Sequence, residues 1–216
     1  MEDHVQQERT ERRRFVLRRL HSLSGIVPIG AYLVFHIMLA NASVLGGPER
    51  FDAAVAAIAL LPPPILLGVE VFLIYLPLLF HSLYGFVRVG EAELSNLLRH
   101  DYLGSYLYTL QRLTGVIAFF FIGWHVYTTR FQYYFAGTEI DFDLMRGLML
   151  DPVKFSIFLV GTAASVFHFT NGIWTFCITW GLTVGRRAQS TLRAASLGAF
   201  LVMYGTAVAI LMAFRA

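Results

Sequence analysis

The chain has 216 residues, of which 56% are hydrophobic, 15% aromatic and only 14% charged. A soluble domain carries about 25% charged residues, so this composition excludes an ordinary soluble enzyme and favours an integral membrane protein. The net charge of +3 gives no sign of nucleic-acid binding, and the single cysteine, Cys177, excludes an internal disulfide or an iron–sulfur cluster held by this chain alone.

Five apolar stretches are long enough to cross a bilayer as helices, which predicts an all-α integral membrane protein. After a polar segment at residues 1–18, the predicted spans are about residues 19–43, 63–89, 103–131, 151–183 and 192–214. We expect residues 1–216 to form a single membrane domain, with the first four spans as its core and the fifth beside them.

Proline and aspartate positions mark where helices begin and bend. Asp151 followed by Pro152 predicts an N-cap and first helical residue for the fourth span. Pro28 and Pro77 lie inside the first two spans and predict kinks there. The connection around residues 131–150 is the longest between spans, and its pattern is compatible with a short interfacial helix.

Arginines are unevenly distributed between the two sides of the membrane. The side that holds the N-terminus carries the larger set: Arg9, Arg12, Arg13, Arg14, Arg18, Arg19, Arg88, Arg99, Arg186, Arg187 and Arg193. Because basic residues are enriched in cytoplasmic segments, this excess predicts a cytoplasmic N-terminus and an external C-terminus.

Four histidines lie within apolar stretches, at His36, His81, His125 and His168, with spacings of 45, 44 and 43 residues. Each spacing is about one membrane crossing plus a loop, so each histidine belongs to a different span. Imidazoles in hydrocarbon are costly without a partner, and a pair of axial imidazoles is what a haem iron requires. Estimated depths at 1.5 Å per residue place His36 with His125 in the outer half and His81 with His168 in the inner half. The pattern therefore predicts two haems, each held by two metal-ligating histidines.

An internal repeat leads to the same pairing. In the first span His36 follows Gly25 by eleven residues, and in the third span His125 follows Gly115 by ten. The second and fourth spans share an aromatic-His-x-x-x-Gly pattern around His81 and His168. Four further glycines are expected to let a flat macrocycle approach the backbone: Gly30, Gly85, Gly123 and Gly161.

Polar residues at the inner starts of the first and third spans are candidate ligands for haem propionates. They are Arg19, His21, Ser22, Ser24, Gln111 and Arg112. Arginine offers bidentate geometry to a carboxylate, although these arginines could instead only set topology, and His21 could be solvated.

Glu70 is the only carboxylate well inside an apolar stretch, and an uncompensated charge there is costly. We therefore expect Glu70 to be protonated or hydrogen-bonded. Its predicted catalytic role is proton exchange with a quinone near the outer haem, and the alternative is a carboxylate that reaches outer water.

Several motifs together resemble the succinate dehydrogenase cytochrome b subunit of the single-chain, five-helix, dihaem type. They are R-R-L-H-S-L-S-G with a later F-H, L-P-L-L-F-H-S-L-Y-G, L-Q-R-L-T-G with G-W-H, and V-F-H-F-T-N-G-I-W with T-W-G-L-T-V. The resemblance covers nearly the whole chain and implies the same four axial ligands in the same pairs.

The resemblance also implies partners and location. The chain would anchor a flavoprotein subunit and an iron–sulfur subunit on the cytoplasmic face of the bacterial plasma membrane, and electrons from succinate would pass through two haem b groups to membrane quinone. The expected docking surface is the polar inner face at residues 12–19, 91–101 and 186–193. Related fumarate reductases carry a glutamate two residues before the fourth ligand, where this chain has Val166, which favours the succinate-oxidising branch.

Other functions stay open from the sequence. A fumarate reductase subunit or the dihaem anchor of nitrate reductase, hydrogenase or formate dehydrogenase would give the same haem pattern. A proton-coupled transporter with a histidine relay would use the same residue type but would bind no haem.

Overall fold

Helices form the framework of the chain. A computed structural model describes residues 2–90 and 103–216, and no strand occurs among them. Seven helical segments follow within these residues: α1 (His4–Gly46), α2 (Pro48–Ala59), α3 (Pro63–Gly90), α4 (Gly104–Ala136), α5 (Phe142–Leu150), α6 (Pro152–Thr179) and α7 (Arg186–Ala213). α1, α3, α4, α6 and α7 are long and apolar enough to cross a membrane, which confirms the predicted all-α fold with five spans.

The ends of the spans differ from the predicted ones. α1 extends back through the arginine-rich segment that was predicted only as a polar stretch. Arginine and glutamate are good helix formers, and pairs such as Glu8 and Arg12 at i and i+4 add support. α4 continues to Ala136, α6 ends at Thr179, and α7 begins at Arg186.

α2 is an element that the sequence analysis did not predict. Gly47 has a φ of 107°, a conformation that other residues rarely adopt, and it turns the chain out of α1. Pro48 follows as the first helical residue, and the acidic Glu49 lies in the first turn. These three signals were present in the sequence, but the segment is too short to cross a membrane.

Two helices begin with aspartate caps. Asp141 accepts a hydrogen bond from the Leu144 N–H at 2.8 Å, and α5 is the short helix expected in the 131–150 connection. Asp151 accepts from the Val153 and Lys154 N–H groups at 2.9 and 3.1 Å, as predicted for α6. These hydrogen bonds, that from Lys154 first, hold the pKa of Asp151 below its ordinary value.

Four π-helical turns interrupt the spans within the described residues, and two of them lie at or near an internal proline. π-helical turns occupy Gly25–Ile29 and His36–Ala40 in α1, Glu70–Tyr75 in α3 and Tyr127–Phe131 in α4. Pro28 lies inside the first of these turns, and Pro77 follows the third. Because proline has no N–H to donate, the regular α-helical hydrogen-bonding pattern is broken at both sites.

α6 lies along both α4 and α7 and is the best buried of the spans. An apolar core lies at the end of the bundle beyond His36, where the ring centroids of Phe51 and Phe214 are 4.9 Å apart. Large apolar side chains such as Phe72 and Leu39 stay exposed, as expected for surfaces that face lipid. We call the end with Arg19 and Trp180 the N-terminal end and the end with α2 and α5 the distal end. Which end faces the cytoplasm stays a prediction.

Candidate functional site

The four histidines of the membrane spans lie in two layers. Nearer the N-terminal end, His81 of α3 and His168 of α6 face each other with ring centroids 6.0 Å apart and planes at 85°. In the distal half, the centroids of His36 of α1 and His125 of α4 are 5.9 Å apart, with planes at 64°. Each layer therefore brings together imidazoles from two different helices.

Both histidines of the N-terminal layer donate a hydrogen bond to a backbone carbonyl. The Nδ1 of His81 lies 2.9 Å from the His21 oxygen, and the Nδ1 of His168 lies 2.8 Å from the Gln111 oxygen. A carbonyl can only accept, so the proton is on Nδ1 and the lone pair is on Nε2. This is the tautomer in which Nε2 can bind a metal.

The side chain of His21 packs against His81 in this layer. Its imidazole stacks on that of His81 at a centroid distance of 4.1 Å and an interplanar angle of 11°. Its Cε1 lies 3.4 Å from the position that a Cβ on Gly85 would occupy. The His21 ring therefore packs beside Gly85 at ordinary van der Waals distance.

Gln111 occupies the equivalent position in the other half. Its Nε2 lies 3.5 Å from the position of a Cβ on Gly172 and donates to the His168 carbonyl at 2.9 Å. The Asn171 amide donates in turn to the Gln111 Oε1 at 2.7 Å. The two halves of the repeat thus match in backbone placement and differ in the side chain that packs beside the glycine, which is His21 at Gly85 and Gln111 at Gly172.

The distal layer is more apolar. The His125 ring stacks on Phe121 at 5.9 Å and meets Phe158 edge-on at 5.4 Å. The Nδ1 of His125 is buried and has no hydrogen-bond partner among the residues that the structure describes. The Nδ1 of His36 lies 3.4 Å from the Tyr32 hydroxyl. Because buried nitrogens are normally satisfied, this layer fits a bound group better than a finished apolar core.

A π-helical turn explains the unequal spacing in the repeat. His36 follows Gly25 by eleven residues, whereas His125 follows Gly115 by ten. The turn Gly25–Ile29 takes up the additional residue, since a π turn is wider than an α turn. His36 and His125 can therefore meet in one layer.

The histidines of the spans offer potential metal ligands in pairs. Across residues 2–90 and 103–216, no three His, Cys, Asp or Glu side chains converge as a site for a metal ion. Two facing imidazoles suit an iron whose other ligands come from a macrocycle.

Comparison with known proteins shows which family the chain belongs to. Residues 92–209, more than half of the chain, match the family described as succinate dehydrogenase/fumarate reductase transmembrane subunit. The chain belongs to this family. It is 38% identical to the succinate dehydrogenase cytochrome b558 subunit of Bacillus subtilis (strain 168) over 177 residues, which is 82% of the chain and 85% of that relative. The resemblance to the succinate dehydrogenase cytochrome b subunit is confirmed, and the subunit is a multi-pass membrane component of an oxidoreductase complex.

The six candidate propionate ligands of the subunit make different contacts. Beside His21 and Gln111, described above, the guanidinium of Arg19 lies 4.7 Å from the centroid of the Trp180 ring. The Ser22 hydroxyl accepts from the Trp180 indole N–H at 3.0 Å, and Ser24 donates to the His21 carbonyl at 2.9 Å.

Arg112, the sixth candidate, lies over the Tyr108 ring and donates to its hydroxyl. Arg19, Ser22 and Ser24 are therefore on the α1 side of the bundle, and Arg112 is on α4.

Glu70 of the subunit is held in an ion pair. It is 8% exposed, and its carboxylate lies 2.5 Å from an Arg130 guanidinium nitrogen and accepts from the Tyr134 hydroxyl at 2.8 Å. The expectation that Glu70 is hydrogen-bonded is confirmed. Sequence reasoning missed both partners, because an arginine at a span end also reports topology and a tyrosine there also lines the membrane interface. Two opposite charges near the same end of neighbouring spans were the available signal.

Three of the glycines expected to face a macrocycle face side chains. A Cβ on Gly30 would clash with the Phe169 ring, and one on Gly161 would clash with Phe121. Gly85 faces His21, as described, and nothing lies within 4 Å of a Cβ on Gly123.

Of the expected docking surface, residues 91–101 lie outside the described residues, whereas residues 12–19 and 186–193 lie on α1 and α7.

Proposed function

We propose that the subunit binds two haem b groups and connects partner subunits with membrane quinone. His81 and His168 would hold one haem, and His36 and His125 the other. The observation that carries the proposal is the presence of two facing imidazole pairs, 6.0 and 5.9 Å between centroids, from four different spans. The name of the Bacillus subtilis relative, a cytochrome b558 subunit, supports it.

The residues present fit haem. Haem, when bound, supplies one-electron redox chemistry. The chain supplies two nitrogens per layer, fixes the tautomers of His81 and His168 through carbonyl hydrogen bonds, and surrounds His125 with Phe121 and Phe158. Arg19, His21, Ser22, Ser24, Gln111 and Arg112 stay the proposed propionate ligands. Of these, His21 and Gln111 have the strongest support, because they line the His81–His168 layer.

Glu70 is the proposed group for proton exchange with quinone at the distal layer. Tyr134, which donates to Glu70, follows His125 by nine residues on α4, which links the carboxylate to the distal side of this layer. The Nε of Arg130 is buried without a partner among the described residues, so it is an N–H donor that could bind a quinone carbonyl. Reduction of a quinone needs protons as well as electrons, and the Glu70 carboxyl group beside this donor can supply one after it has taken up a proton.

The subunit would dock a flavoprotein and an iron–sulfur protein at its N-terminal end, on the cytoplasmic side of the bacterial plasma membrane. The exposed arginines of α1 and the start of α7 support this. No dinucleotide-binding motif occurs in the sequence, so succinate and flavin would bind to the partners. Succinate oxidation is favoured over fumarate reduction, since Val166 replaces the glutamate of the related fumarate reductases and is fully buried.

Visible spectra of single histidine variants test the haem assignment. We expect His81→Ala and His168→Ala to remove one component of the reduced-minus-oxidised spectrum, and His36→Ala and His125→Ala to remove the other. His4→Ala, at an exposed position on α1, is the matched control and should leave both components. Loss of the same component in His36→Ala and His81→Ala would contradict the pairing.

A separate assay tests the role of Glu70. Glu70→Gln keeps the shape of the side chain and removes the proton it exchanges, so quinone reduction by the complex should fall about 10²-fold or more with both spectral components retained. Glu49→Gln, exposed on α2, is the control. Equal rates for the two variants would exclude Glu70 from proton exchange.

A further inference from the structure

Two glycines in the N-terminal layer lie directly against the imidazoles of that layer. A Cβ on Gly115 would lie 2.8 Å from the Cε1 of His168 and 3.0 Å from its Nδ1. A Cβ on Gly25 would clash with the Cε1 of His81 and lie 2.8 Å from its Nδ1. Cβ atoms almost never approach other heavy atoms within 3.0 Å, so neither position accepts a side chain without moving the ring.

The same geometry occurs twice, in helices that are far apart in the sequence. Each glycine comes four residues after the residue whose carbonyl accepts from the imidazole, His21 before Gly25 and Gln111 before Gly115. One turn of helix therefore contacts each ring at two points, with a carbonyl at Nδ1 and a bare Cα against the ring edge. The ring can reach the carbonyl because the glycine one turn later has no side chain.

We propose that Gly25 and Gly115 are positioning residues that fix the imidazole planes of His81 and His168 and hold their Nδ1–H groups on the carbonyls of α1 and α4. The inference rests on the proposed haem function. In this proposal, Gly25 and Gly115 control the orientation and the basicity of the two imidazole ligands, although neither glycine touches the metal. The two glycines, 90 positions apart in the sequence, are thereby paired as determinants of one and the same haem.

The hydrogen bond from Nδ1 makes an imidazole a stronger donor to the metal, which favours the oxidised iron. A methyl group at Gly25 or Gly115 pushes the ring away from the helix and lengthens this bond. The reduction potential of the haem held by His81 and His168 should therefore rise in both variants, and its low-spin ferric EPR signal should shift because the planes of the ligands rotate. The other haem keeps its ligands and its surroundings.

The test uses the complete membrane complex carrying Gly25→Ala or Gly115→Ala. Redox titration of the visible spectrum and low-temperature EPR are recorded for both haem components. We expect both variants to shift the component that His81→Ala removes and to leave the other component at its wild-type potential, which also shows that the bundle is folded. Gly198→Ala, exposed on α7 with nothing within 4 Å of the added carbon, is the matched control and should change neither.

Three outcomes would overturn the inference. These are wild-type potentials and EPR signals in both glycine variants, shifts of different components in the two variants, or an equal loss of both components, which would indicate general packing. Failure of the proposed function is distinct, because a wild-type complex whose subunit bound no haem would show neither component from the start.

Discussion

Replacing Arg130 by glutamine should cost the subunit much of its stability. Glu70 is 8% exposed, and its carboxylate would lose the guanidinium that lies 2.5 Å away. Removing one partner of a buried ion pair costs about 3–5 kcal/mol, because the other charge is left uncompensated. The Arg130 side chain is 20% exposed and Tyr134 still donates to Glu70, so we take the lower limit of about 3 kcal/mol.

Thermal unfolding of the purified complex in detergent, followed by helical circular dichroism, measures this loss. For a chain of this length 1 kcal/mol corresponds to roughly 2–4 °C, which predicts a decrease in Tm of about 6–12 °C for Arg130→Gln. Arg146→Gln, exposed on α5 at the same end of the bundle, is the control and should change Tm by no more than about 2 °C.

A double variant separates loss of the pair from loss of packing. Glu70→Gln with Arg130→Gln leaves no buried charge, so it should be more stable than Arg130→Gln alone. A Tm for Arg130→Gln equal to that of Arg146→Gln, or a double variant that loses the sum of both single losses, would refute the reasoning.

Two further predictions concern the helix contacts that position the site. Gln111→Leu leaves the buried Asn171 amide without its acceptor, which should cost about 1–3 kcal/mol in thermal unfolding, whereas Thr206→Val, which removes only a hydroxyl bonded within α7, should cost little. Asp151→Ala removes the cap of α6 and should lower Tm. Since the pKa of Asp151 is depressed in the folded state, the difference from wild type should be constant above about pH 5 and shrink as the pH falls below about 4. A difference that grows towards low pH would contradict the capping role.

The regular features of the site could be predicted from the sequence. Histidine spacing and the glycine–histidine repeat depend on helix rise and span length, which are nearly constant, so they place His36 beside His125 and His81 beside His168 as the structure does. The one-residue difference between the repeats could be seen, but its cause could not. A π turn is a local choice of hydrogen bonding that leaves no hydropathy pattern.

The partners of Glu70 were less accessible to sequence reasoning. Arg130 and Tyr134 sit at a span end, where arginine also reports topology and tyrosine also lines the membrane interface, so residue type alone did not separate these roles. Gly25 and Gly115 were recognised only as markers of the repeat. Their contacts with His81 and His168 depend on how two helices rotate against each other, which a single sequence does not fix.

The haem content of the purified subunit tests the central claim most directly. A pyridine haemochrome assay against protein concentration should give two haem b groups per polypeptide for the wild type and one for each of His36→Ala, His81→Ala, His125→Ala and His168→Ala. A wild-type ratio of one or zero, or variants that keep both groups, would contradict the assignment of two imidazole pairs as two haem sites.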